Sequence, residues 1–152
     1  QNWGADRPDR ARRAMYWAGL FCIVYGLATA IVLFAFGDWF ADFFTEDAEV
    51  IEEFSRYLAI SVWGYAGYGL LIVGNGALNA VDRAPYALAQ SAARVFLVML
   101  PFGWVLRSSW GSDSIYAAEL VANVVGGALA SLVVWLVLRN KPQSSSTDQT
   151  KR

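Results

Sequence analysis

Four uninterrupted apolar runs, each long enough to cross a lipid bilayer, set the first limit on how this chain folds. They occupy residues 14–37, 57–81, 84–106 and 115–138. A bilayer crossing needs about 20 mostly apolar residues in a helix. The runs lack the alternation of barrel strands, so they read as helices. The first is too long for a signal peptide, and no small-residue cleavage site follows it. Only 16% of the residues are charged and 57% are hydrophobic; a soluble domain carries about 25% charged residues. The expected class is therefore all-α, a polytopic membrane protein.

Charge between the runs orients them. Arg7, Arg10, Arg12 and Arg13 precede the first run, Arg83 follows the second, and Arg139 and Lys141 follow the fourth. The connection after the first run holds seven acids between residues 38 and 53 and no basic residue until Arg56. Basic residues mark cytoplasmic loops. The start, the second connection and the tail are thus expected in the cytoplasm, with the acidic connection and RSSWGSDS outside. Asp47 is the expected N-cap of the second helix. Pro8 and Pro85 suit helix starts, and Pro101 should kink the third helix. The spacing predicts helices near residues 11–38, 48–81, 84–107 and 113–139. They make a membrane domain over residues 1–140, followed by a disordered polar tail at 141–152.

Polar residues recur inside the greasy helices. Tyr57, Ser61, Tyr65, Tyr68, Asn75 and Asn79 fall within an arc of about 80° at 100° per residue, and such a stripe faces partner helices or water rather than lipid. Gln90 and Arg94 share a face of the third helix; Glu119 and Asn123 share one of the fourth. A charge near mid-depth, as Arg94 is expected to be, costs at least ~2.5 kcal/mol on insertion scales, so it needs a partner or a wet cavity. The candidate substrate or ion pathway therefore comprises Tyr65, Tyr68, Asn75, Asn79, Gln90, Arg94, Glu119 and Asn123. Ala122, Gly126 and Ala130 form a small-residue row that admits a close helix neighbour. The chain has no histidine, and its one cysteine, Cys22, lies in an apolar run. That leaves no donor set for zinc and no internal disulfide. No nucleophile–base pair or carboxylate pair occurs at membrane depth, so neither an enzyme nor a cofactor is expected. A net charge of −1 gives no reason to expect nucleic acid.

Three stretches carry a family resemblance. QNWGADRPDRARRA resembles the loop that leads from the second to the third helix of a half in the multidrug and toxic compound extrusion (MATE) transporters. FFTEDAEVIEEFSRYLAI is similar to that family's Phe-Thr-x-acid stretch and the Tyr-Leu before its next long helix. GNGALNAVDRAP sits where the family has a glycine-rich helix end and a cytoplasmic turn. The resemblance implies a twelve-helix transporter of two six-helix bundles, with both termini cytoplasmic, in the inner membrane. This chain would supply the last four helices of the second bundle. The missing initiator methionine then reflects helices upstream in the same polypeptide, which would be its partners together with the lipid bilayer.

By the same resemblance the function is export of small organic, often cationic, compounds in exchange for Na⁺ or H⁺. One branch of the family has a coupling aspartate midway along the helix that matches the second one here. This chain has no acid between Arg56 and Asp82, so no coupling-ion site is identifiable in the sequence. Three alternatives remain. A lipid-linked saccharide flippase of the wider superfamily would want a more basic cavity. A four-helix small multidrug transporter would need a glutamate in the first helix. A non-transporting scaffold would not need the polar stripe.

Overall fold

The computed structural model describes residues 3–4 and 7–139; the tail expected to be disordered lies outside them. Four helices long and apolar enough to span a membrane follow one another: α1 (Pro8–Phe44), α2 (Ala48–Ala80), α3 (Ala84–Trp110) and α4 (Asp113–Arg139). Among the described residues there is no strand.

The ends of the helices follow local chemistry. Proline stands in the first turn of α1 and of α3, where its missing N–H costs nothing. The Asp47 carboxylate accepts from the Glu49 N–H at 3.0 Å, capping α2. Asp82 takes a left-handed φ of 58° in the turn between α2 and α3, and the Arg83 N–H closes back on the Leu78 carbonyl at 2.8 Å. Such short connections make α1–α2, α2–α3 and α3–α4 antiparallel, so α2 and α4 run parallel. The described chain thus has a basic end, where α1 starts and α4 stops, and an acidic end.

The first helix runs past its expected stop at residue 38 to Phe44, with a break at Phe36 (φ −119°, ψ 15°) beside Gly37. At 1.5 Å per residue its 37 residues reach about 55 Å, longer than the hydrocarbon is thick. The second helix tightens to a 3₁₀ turn at Val62–Gly64. The third widens to a π turn at Arg94–Met99, directly before Pro101. The irregularity expected from that proline therefore appears as a change of helical pitch on its N-terminal side. A wider turn relieves the clash between a proline ring and the preceding carbonyl.

The fold is built on close approach of α2 and α4. A Cβ on Gly67 or on Gly127 would overlap backbone atoms of the other helix, and a Cβ on Gly74 would sit 3.0 Å from the Ala130 Cβ. Ala122 and Ala130 are fully buried, and Gly126 is buried with them. Small residues serve this purpose in membranes, where dispersion between helices replaces the hydrophobic drive. On the other side of α2, Gly26 of α1 meets the Ala66 backbone, with 2.5 Å between an added Cβ and the Ala66 Cα. Toward the basic end Leu78, Ala87, Val134 and Leu138 form a buried cluster, and toward the acidic end Ala30, Leu58 and Val62 form another. The Arg12 guanidinium donates to the Leu138 carbonyl at 3.0 and 3.2 Å. It thereby serves acceptors that the end of α4 cannot satisfy within the helix.

Candidate functional site

A cavity of about 520 Å³ opens where the four helices splay beside the α2–α4 contact. From α2 it takes Tyr57, Tyr65 and Tyr68; from α3, Arg94; from α4, Glu119 and Asn123. The first helix adds Phe21, Cys22, Tyr25 and Thr29. Phe21 and Tyr25 stack with their ring centroids 5.6 Å apart.

Arg94 is the centre of this arrangement. Its Nη1 donates to Asn123 Oδ1, and its Cζ lies 5.2 Å from the centroid of the Tyr68 ring, within cation–π range. The guanidinium reaches Asn123 because Gly126 is bare: a Cβ there would sit 3.0 Å from the Arg94 Cδ and 3.1 Å from its Cγ. Arg94 also begins the π turn, a deviation that recurs at functional sites in helices. Among the described residues the ion pairs are Arg12–Asp9 and Arg56–Glu52. Arg94 and Glu119 thus line one cavity without being paired. Glu119 is half-buried, one helical turn from Asn123 on the same face. Tyr57 and Tyr65 line the cavity with it.

The polar stripe of α2 does not face one space. Tyr57, Tyr65 and Tyr68 line the cavity. Ser61 is fully buried between them and bonds to the Tyr116 carbonyl at 3.4 Å. Asn75 donates to Ser91 Oγ at 2.8 Å and accepts from Gln90 Nε2. Asn75 and Asn79 line a separate groove with Pro85, Leu88 and Ser91. Asn75, Asn79 and Gln90 therefore stand outside the lining of this cavity in the described bundle. The reason is depth: Asn75 lies seven residues beyond Tyr68, about 10 Å along the helix, where α3 has closed over α2. The contribution of α1 was not anticipated. Its signal was available in Cys22, Tyr25 and Thr29, whose spacing of 3 and 4 places mildly polar side chains on one helical face.

Among the described residues no group of His, Cys, Asp and Glu could hold a metal ion. The site offers one cation, one carboxyl, one amide and several aromatic faces, midway along membrane-length helices.

The model of the MatE family matches residues 1–105. A "FAD transporter" of Shewanella oneidensis is 34% identical over 127 residues, which are 84% of this chain and 28% of that protein. A "Probable multidrug resistance protein NorM" of Bacillus cereus is 23% identical over 146 residues, 94% of this chain and 32% of that one. Among solved structures, the bent form of the Vibrio cholerae MATE transporter VcmN superposes with a TM-score of 0.86 at 26% identity. It covers 91% of this chain and 32% of VcmN. The chain thus spans about a third of the length of the relatives it matches. The names of the Shewanella oneidensis and Vibrio cholerae proteins describe transporters. On the family match, the membrane-length helices and the superposition, this chain belongs to the MATE family of membrane transporters.

Proposed function

We propose that the chain forms part of a secondary active exporter that moves organic compounds across the inner membrane in exchange for H⁺ or Na⁺, and that its cavity is a cargo-contacting surface. The observation that carries this reading is the meeting of Arg94 and Tyr68 at mid-helix, away from both ends of the bundle. Tyr65, Tyr68, Phe21 and Tyr25 offer ring faces suited to flat organic molecules. In the reading that retains a cationic cargo, those faces attract it by about 0.5–2 kcal/mol per ring. The basic end faces the cytoplasm and the acidic end faces outward. Transporter sites form between repeats or bundles, so the isolated 152-residue chain does not transport, and the remaining helices belong to the same polypeptide.

A second reading of the cargo rests on Arg94 and on the relative from Shewanella oneidensis, which is named as a FAD transporter. A guanidinium has five donors in a fork that fits phosphate oxygens, and one of its N–H groups is occupied by Asn123. An anionic aromatic compound such as FAD would bind by stacking and by this fork together. The deciding experiment measures export of ethidium and of FAD, read as uptake into inverted vesicles containing the full-length transporter. Efflux is normalised to inserted protein, with Arg94→Ala alongside the parent. Loss of FAD efflux with ethidium retained supports the anionic reading, and the opposite pattern supports the cationic one. Efflux of both compounds unchanged in Arg94→Ala and in Tyr68→Ala sinks the cavity as a cargo surface.

A further inference from the structure

Two adjacent glycines of α4 receive different things. Gly127 receives the backbone of α2, and a Cβ there would overlap Gly67. Gly126, turned about 100° from it around the helix, receives a side chain. The aliphatic stem of Arg94 lies along it: an added Cβ would stand 3.7, 3.1 and 3.0 Å from the Arg94 Cβ, Cγ and Cδ, and these are its three nearest atoms. Gly126 is buried, so the stem takes the room that a side chain at this position would fill. With the stem laid there, Nη1 of the guanidinium meets Asn123 Oδ1, three residues back along α4. Its Cζ lies 5.2 Å from the centroid of the Tyr68 ring. Gly126, Asn123 and Tyr68 thus make a berth for one cation at the wall of the cavity that Arg94 lines.

We propose that Gly126 is a positioning residue that sets the charge met by the cargo: it leaves room for the stem of Arg94 and so holds the guanidinium against α4 and out of the cavity. The proposal rests on the exporter reading above and names what tunes its preference between cationic and anionic aromatic cargo. A methyl group at Gly126 is enough to disturb the berth, because separations of 3.0 and 3.1 Å lie inside the distance of about 3.5–4.0 Å at which carbon atoms rest. The obstacle is a flexible side chain rather than backbone, so Arg94 yields and the helices keep their places. Asn123 and Gly126 belong to α4 and Tyr68 to α2, and the way out from between them is the cavity. Released into it, the guanidinium offers all five of its donors to anionic oxygens. Its charge also repels a cationic cargo across a space of low dielectric, by more than the freed Tyr68 ring attracts one. Opening the berth therefore favours anions at the expense of cations.

The test compares uptake of FAD and of ethidium into inverted vesicles containing the full-length transporter, each normalised to inserted protein. Gly126→Ala should raise the ratio of FAD to ethidium uptake at least about threefold, short of the roughly tenfold that one hydrogen bond to a charged group supplies. Asn123→Ala removes the acceptor and leaves Gly126 bare, and it should move the ratio in the same direction. Asn123→Asp, a stronger acceptor for the guanidinium, should move it the opposite way, which a packing role of this wall would not do. In an Arg94→Ala background, Gly126→Ala should shift neither probe further. An unchanged ratio in Gly126→Ala, or in Asn123→Ala where the former does not insert, would overturn the proposal; the freed guanidinium would then have cancelled its charge on Glu119 or never left the wall. A shift that survives the removal of Arg94 would overturn it too. Failure of the parent to take up either probe would overturn the exporter reading itself.

Discussion

Two neighbouring surfaces of α2 and α4 do opposite things. Along their contact, Gly67, Gly74, Gly127 and Ala130 bring the backbones together until no side chain fits between them. A helical face away, Tyr57, Tyr65, Tyr68 and Glu119 stand beside open space. The difference teaches that the cavity is a by-product of the contact. Helices pinned at a small-residue crossing can keep large polar side chains beside it without collapsing onto them. The pin supplies stability through dispersion, and the flank is left free for chemistry. A membrane helix has little else to work with, because lipid chains offer no hydrophobic penalty that burial would relieve.

Substitutions should separate the two surfaces. The largest effect is expected at the pin. Gly67→Leu or Gly127→Leu should destabilise the bundle by ~3 kcal/mol or more, since the obstacle is backbone rather than a movable side chain. Folded protein recovered from detergent extracts should fall severalfold. Gly76→Leu, where an added Cβ meets nothing within 4 Å, should be recovered at parent level. Equal losses at Gly67 and Gly76 would remove the distinction. Next comes Arg94→Ala, which should cut transport per inserted molecule at least about tenfold, corresponding to ~1.4 kcal/mol, with abundance close to normal. A drop in abundance that matches the drop in transport would move Arg94 from the flank to the pin. Tyr68→Ala should weaken transport by about 2- to 30-fold, the range of one cation–π contact, and should raise the half-saturating concentration of an aromatic probe. The smallest effect belongs to Asn75→Ala. Its bond to Ser91 is of the kind worth about 0.6 kcal/mol between membrane helices. A small shift in the melting midpoint with normal transport is expected, and a large loss of transport would return Asn75 to the cargo path.

The four membrane-length helices were legible because span length and loop composition are local properties. The Asp47 cap and the buried row of Ala122, Gly126 and Ala130 were readable for the same reason. What was not legible depends on neighbours. An angular plot of α2 places Tyr68 and Asn75 on one face, but only the position of α3 puts one beside a cavity and the other against Gln90. Arg94 was recognisable as needing a partner. That the partner is Asn123 follows from the bare Gly126, a relation across two helices. Phe21 and Tyr25 were hidden by their own apolarity, since an aromatic ring facing lipid and one facing cargo look alike in a sequence.

The hydrogen bonds from Arg12 to the Leu138 carbonyl bear on how such a bundle could move. They clasp the start of α1 to the finish of α4 at the basic end, while Gly26 keeps α1 in register with α2. Three helices are therefore tied into one stiff frame. The third helix is fastened to α4 through Ala87 and the Arg94–Asn123 bond, exposes Phe96, Leu97, Trp104 and Val105 on its other side, and changes pitch at Arg94. The change of pitch in α3 therefore falls at the residue that fastens it to α4.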